Sequence, residues 1–155
     1  MDDIFMDAAV EEARSGMRNN EGGPFGAVIV KDGKIISKAH NEVLGTNDPS
    51  AHAEIVAIRK ASSILENFDL SGCELYATTM PCPMCLSAIC WARIGKIYYG
   101  TSTDEVASIG FDDGKIYDIL KKGASPSVLE MTNTECESCR KLLVEWDNKP
   151  DKIMY

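Results

Sequence analysis

The chain has 155 residues, 45% hydrophobic and 26% charged, which suits one compact domain over 1–155 and leaves no room for a second catalytic one. Sixteen basic against 24 acidic residues give a net charge of −8, a surface that repels phosphate backbones and makes long nucleic acid a poor partner. With no basic, apolar leader and no run approaching the roughly 18 apolar residues of a membrane span, a cytoplasmic protein with no membrane partner is expected, and its six cysteines read as thiols or metal ligands rather than a disulfide framework.

The first predicted element is an amphipathic helix over 3–18. Phe5, Ala9, Ala13 and Met17 recur every four residues, Met6 and Val10 lie beside them, and Glu11, Glu12 and Arg14 face out. Gly22-Gly23-Pro24 ends it. Strand-like runs over 25–30 and 34–39 flank Lys31-Asp32-Gly33, a hairpin signal. Asn47-Asp48-Pro49-Ser50 is a turn in which Asp48 or Ser50 could cap the next helix, 51–65, placing His52 and Glu54 in its first turn. A buried strand over 74–79 follows. Pro81 and Pro83 then lead into a helix over 84–92 with Cys82 and Cys85 at its start. Beyond come a strand at 96–100, a loop rich in Thr, Ser and Asp, a short helix near 116–120, a last strand at 127–131 and a last helix at 136–146. This alternation predicts an α/β fold, a three-layer α/β/α sandwich around a five-stranded mixed sheet, antiparallel at the hairpin and parallel across the later crossovers.

The two helix starts together carry chemistry. His52, Cys82 and Cys85 are three ligands for one Zn2+, and catalytic zinc commonly keeps three protein ligands and leaves the fourth position to water. A Cys-x-x-Cys at a helix start turns both sulfurs to one metal, and the helix dipole favours the thiolates. Zinc lowers the pKa of bound water to about 7 in favourable sites. Glu54, two residues from His52, can take that proton, pass it to a ring nitrogen and later protonate leaving ammonia. His-x-Glu followed by Pro-Cys-x-x-Cys is the known signature of zinc nucleobase deaminases. Singly, His52 reads as a surface residue, the Cys pair as redox or structural, and Glu54 as a first-turn acid. Jointly those readings require three coincidences of order and spacing. A structural zinc module is the non-enzymatic alternative and would need a fourth protein ligand, which Cys136 or Cys139 could supply; as free thiols on one face of the last helix they would instead help its packing.

On these residues the sequence resembles the cytidine deaminase-like superfamily and, within it, the bacterial guanine deaminases. The resemblance runs from Gly22-Gly23-Pro24-Phe25-Gly26 through Asn47-Asp48-Pro49-Ser50-Ala51-His52-Ala53-Glu54, Pro81-Cys82-Pro83-Met84-Cys85, Trp91-Ala92-Arg93 and Gly110-Phe111-Asp112-Asp113 to the terminal Tyr155. It implies hydrolysis of guanine to xanthine and ammonia, a free nucleobase as the small-molecule partner, and one zinc per subunit with water or hydroxide as fourth ligand. It implies that Phe25, Asn41, Ala53, Asp113 and Tyr155 contact the base, with Asp113 a second proton carrier beside the catalytic Glu54. It further implies a homodimer in which the C-terminal helix and tail, about 134–155, are exchanged. On the residues alone Phe25 is equally a core aromatic, Asp112-Asp113-Gly114 a plain turn, Tyr155 a frayed end and Trp91 a buried structural residue. Met80 departs from the family, which usually has Glu or Ser before the Pro-Cys. A deaminase of a related amino-heterocycle, isocytosine or an aminotriazine, and a tRNA adenosine deaminase are the alternative enzymes; the charge of −8 and the Phe111-Asp112-Asp113 segment speak against the second.

Overall fold

In the computed structural model, residues 3–124 and 129–155 are described. Helix α1 (Ile4–Arg18) starts where the Asp3 carboxylate accepts the amides of Phe5 at 3.0 Å and Met6 at 3.4 Å, and it buries Ala9, Ala13 and Gly16. Strands β1 (Gly26–Lys31) and β2 (Lys34–His40) form the expected hairpin. Its two turn residues, Asp32 and Gly33, have φ of 51° and 71°, the left-handed pair that a tight two-residue turn requires.

A short helix α2 (Val43–Thr46) precedes α3 (Ala53–Leu65). Then come β3 (Cys73–Thr79), α4 (Pro83–Trp91), β4 (Lys96–Thr101), α5 (Thr103–Ser108), α6 (Gly114–Lys122) and α7 (Glu137–Asp147). Among the described residues the sheet order is β2-β1-β3-β4, with β1 antiparallel to both β2 and β3, and β3 parallel to β4. Since β1 runs against both its neighbours, β2 and β3 point the same way. Both helical crossovers, β2-α3-β3 and β3-α4-β4, therefore join co-directional strands, as such connections must.

β1 is buried on both faces, and its alternation sorts the core. Ala27 and Ile29 join Ala39, Ala53, Val56, Ala57, Leu75, Ala77 and Ile89 under α3 and α4. Val28 and Val30 point the other way, to Ala9, Phe5 and Met6 of α1 and to Tyr76 and Tyr98, whose rings stack at 4.5 Å. The sheet is thus covered on both sides, the three-layer arrangement expected.

Three local expectations are corrected. Among the described residues the sheet has four strands, where five were expected. Of the expected last strand, 127–128 lie outside the described residues and 129–131 form no strand; Leu129 and Met131 are exposed there, so no buried face sets a register. The polar stretch after β4 is helical, because Ser102 and Glu105 form a reciprocal capping box. Asp48 and Ser50 do not cap α3: Asp48 Oδ1 accepts the Ser50 amide at 2.8 Å and hydroxyl at 2.7 Å, closing a local turn, and His52 is the N-cap residue.

The chain divides into two compact units, Met1–Asp113 and Gly114–Tyr155. The first holds the sheet with α1 to α5. The second holds α6 and α7, and none of its described residues is buried.

Candidate active site

The site is assembled from two helix starts. His52 is the N-cap of α3 and Cys82 the N-cap of α4, both with extended backbone, so both side chains project past the ends of their helices. Pro83 supplies the preset φ of the first turn of α4, and Cys85, fully buried, follows within that turn. The parallel pairing of β3 with β4 and the core contacts of Ala53, Ala57 and Ile89 hold the helices side by side.

The Sγ atoms of Cys82 and Cys85 each lie 3.6 Å from His52 Nδ1, and all three ligand atoms lie within 4.8 Å of one another. Zinc bonds of about 2.3 Å to sulfur and about 2.05 Å to nitrogen, at the tetrahedral angle, demand a sulfur-to-nitrogen separation of about 3.6 Å. The donor set therefore fits one zinc ion. Among the described residues it is the only cluster of three or more His, Cys, Asp or Glu side chains close enough to hold a metal. Three protein ligands are the complement of a catalytic site that leaves the fourth position open, whereas a closed structural site takes four.

The electrostatics of the site point the same way. A hydrogen bond from the Cys85 thiol holds Cys82 down at about 4, while that bond and burial push Cys85 far above the ordinary thiol range. Contact with Cys82 raises His52. The two sulfurs thus share one negative charge between them, and only a cation lets both ionise.

Glu54 stands in the first turn of α3, 6% exposed, with Oε2 3.5 Å from Cys85 Sγ. Burial raises its pKa, which is the environment of a carboxyl that exchanges protons rather than one that only complements a helix dipole. Ala53, its neighbour, is fully buried at the first position of α3.

Asn41 follows β2 and is 5% exposed. Its backbone amide donates to Phe25 O at 3.0 Å, and its Oδ1 accepts the Val43 amide at 3.1 Å, which fixes the orientation of its side-chain amide. Gly22 lies directly on it: a Cβ there would come within 2.1 Å of Asn41 O and 2.2 Å of Oδ1, so only glycine fits. Phe25 and Phe111 meet edge to face at 4.9 Å. Phe111 leads through Asp112 to Asp113, half-buried and near enough to Cys82 to feel its charge; burial first, then that thiolate, raises the Asp113 carboxyl. Beside this corner, Phe25, Thr78, Thr79, Thr101, Val106 and Ile109 line a groove of about 410 Å³ that contains none of the three metal-ligand candidates. Trp91, expected in the interior, is 67% exposed because it sits at the last, outward position of α4. Tyr155 ends the C-terminal unit and is 69% exposed. Met80 is a partly exposed residue whose amide donates to Thr101 O at 2.8 Å, a backbone role that any non-proline residue fills.

One constellation escapes sequence reasoning. His40 Nδ1 lies 3.3 Å from Glu12 Oε2, and its Nε2 hydrogen-bonds Glu21. The ring thus ties α1 and the loop before β1 to the end of β2, one residue from Asn41, while the Glu21 carbonyl accepts the amides of Leu44 and Gly45 at 2.9 Å. No spacing rule links positions 12, 21 and 40; only the fold brings them together.

A model of the cytidine and deoxycytidylate deaminase zinc-binding region matches residues 1–101. The chain is 41% identical over 153 residues to guanine deaminase of Bacillus subtilis (strain 168), covering 99% of this chain and 98% of that protein. The X-ray structure of guanine deaminase from Bacillus subtilis superposes with a TM-score of 0.95 at 41% identity, over 100% of this chain and 99% of that one. A tRNA-specific adenosine deaminase of Aquifex aeolicus (strain VF5) is 46% identical over 97 residues, 63% of this chain and 64% of that protein. A guanine deaminase structure from Nitrosomonas europaea gives a TM-score of 0.67 at 32% identity, over 71% of this chain and 64% of that one.

Proposed function

The chain belongs to the cytidine and deoxycytidylate deaminase zinc-binding family, and on that premise we propose that it is a zinc-dependent aminohydrolase that converts guanine and water to xanthine and ammonia. The observation that carries the substrate is the likeness to the Bacillus subtilis guanine deaminase, which extends over 99% of this chain rather than ending with the zinc-binding region.

His52, Cys82 and Cys85 would hold a zinc ion, whose chemistry would be to activate a water molecule as the nucleophile. Glu54 would be the proton carrier, accepting the proton of the attacking water, passing it to a ring nitrogen of the base and then to the departing amine. Its burial keeps bulk water from competing for the proton. Asn41, its Oδ1 engaged by Val43, turns its Nδ2 donors to acceptor atoms of the purine. Phe25, braced by Phe111, packs on the base beside Ala53. Asp113, its carboxyl raised by burial, contacts the purine edge and serves as a second proton carrier. Tyr155 helps close the site.

Two further readings accompany this one. A homodimer with the exchanged segment 134–155 is supported by α7 itself: Leu142, Leu143 and Val144 are 64%, 70% and 59% exposed, in a unit whose described residues bury nothing. Sedimentation should find a dimer at micromolar protein, and a monomer overturns that reading. Cytoplasmic residence is supported by six unpaired cysteines, the state of thiols in a reducing compartment.

The test of substrate is a panel. Pure zinc-loaded protein is given guanine, isocytosine, adenine, cytosine and a tRNA adenosine substrate, and ammonia and product are followed. Xanthine from guanine is expected. Absence of xanthine at micromolar enzyme overturns the assignment, and inosine formed in tRNA would move it to the adenosine deaminases, favoured by the 46% local identity but opposed by the net charge of −8.

A further inference from the structure

Outside the metal cluster the chain has four cysteines: Cys73 is buried, Cys90 is exposed on α4, and Cys136 and Cys139 form a pair at the start of α7. Cys136 is the N-cap residue, with extended backbone at φ −72° and ψ 113°, and Cys139 lies in the first turn. The Cys136 Sγ is 3.0 Å from Ser138 Oγ, and Cys139, three residues on, stands on the same face of the helix start. Cys136 is half-buried and Cys139 exposed. The turn before them is held in place: Glu135, at φ 48°, gives its amide to Asn133 Oδ1 at 2.9 Å and its carbonyl to Arg140 Nη1 at 3.2 Å. The Ser138 hydroxyl first, then the Cys139 thiol and backbone amides of the turn, hold Cys136 down at about 7, as a helix start favours, while the neighbouring Cys136 raises Cys139. These features divide the labour of thiol–disulfide exchange between an attacking and a resolving sulfur. No third ligand stands beside them among the described residues, so the pair is not half of a metal site.

We propose that Cys136 and Cys139 form a reversible dithiol–disulfide site, separate from the zinc ligands, that exchanges with low-molecular-weight disulfides. The Cys136 thiolate attacks one sulfur of a disulfide such as oxidised glutathione, forms a mixed disulfide and expels a glutathione thiolate, which takes up a proton. The Cys139 thiol then loses its proton to solvent. Its sulfur attacks Cys136 Sγ, breaks the mixed disulfide and releases the second glutathione. Two cysteine thiols are oxidised to one disulfide, and one glutathione disulfide is reduced to two thiols.

Zinc-loaded full-length protein is incubated with oxidised glutathione, quenched with an alkylating agent and digested for peptide mass spectrometry, with Cys90 as the exposed, unpaired control. The peptide spanning Cys136 and Cys139 should lose two hydrogens and escape alkylation, and dithiothreitol should reverse both. Cys139→Ser should accumulate the mixed disulfide at Cys136, and Cys136→Ser should react more slowly at Cys139. Far-ultraviolet circular dichroism checks that both exposed-site variants stay folded. Two free thiols at 136 and 139 under conditions that glutathionylate Cys90 overturn the proposal. So does a mixed disulfide that persists in the unsubstituted chain, since it shows that Cys139 does not resolve.

Discussion

Glu54 makes the sharpest case at the residue scale. It is a carboxyl in the first turn of a helix, where the dipole favours its charge, yet burial outweighs that and raises its pKa. A residue held this way is costly unless it moves protons. Glu54→Gln should therefore retain zinc, measured by metal analysis, while turnover falls by about 10² to 10⁴, the usual share of general acid–base catalysis. Turnover that survives the substitution would remove Glu54 from the mechanism. Cys85 differs in kind: it is fully buried and its thiolate is tolerable only beside a cation, so Cys85→Ser should lose zinc and activity together. The metal-ligand cluster of His52, Cys82 and Cys85 was legible in the sequence, because metal ligation dictates residue type and spacing. His40 with Glu12 and Glu21 was not, because the three residues come from three separate segments of the chain.

At the scale of elements, the turn ahead of α3 sets where His52 stands. Asp48 is held below the ordinary carboxylate range by the Ser50 hydroxyl and amide, with Arg59 3.6 Å away. A depressed folded-state pKa means stability that is present above the unfolded value of 3.8 and is lost as pH falls through the lower folded value. The difference in urea midpoint between the unsubstituted protein and Asp48→Ala, both zinc-free, should thus be full at pH 7 and narrow below pH 3.8. A pH-independent gap would show that the carboxylate charge plays no part. In the sheet, Ile29 is fully buried under α3 and α4, and Ile29→Ala should cost about 2 to 5 kcal/mol in chemical denaturation. The same periodicity that marked β1 failed at 127–131, because alternation is informative only when one face finds a core, and Leu129 and Met131 find none. Helix α5 was missed for the opposite reason: two polar residues, Ser102 and Glu105, create a helix start that a search for apolar stripes passes over.

For the whole molecule, zinc is a cross-link as well as a reagent. Its ligands come from the starts of two helices, so binding adds a tie between α3 and α4 to the core packing they already share. Free zinc at a thousand times its dissociation constant stabilises the folded state by about 4.1 kcal/mol. Calorimetry should show a lower melting temperature in chelator, restored by added zinc along with turnover. Identical melting curves would mean that the ion does not brace the fold.

Sequence alone determined the reaction class, since His52, Cys82 and Cys85 are constrained by the coordination chemistry of one ion, and that constraint is local to two short segments. It also determined most of the elements in unit Met1–Asp113, where a two-sided core enforces periodicity. Tertiary structure decided the rest: that both sulfurs stand 3.6 Å from one nitrogen, that the sheet among the described residues has four strands, that Gly22 lies on Asn41, and that His40 joins three segments of the chain. Each depends on which distant segments become neighbours, and no run of adjacent residues encodes that.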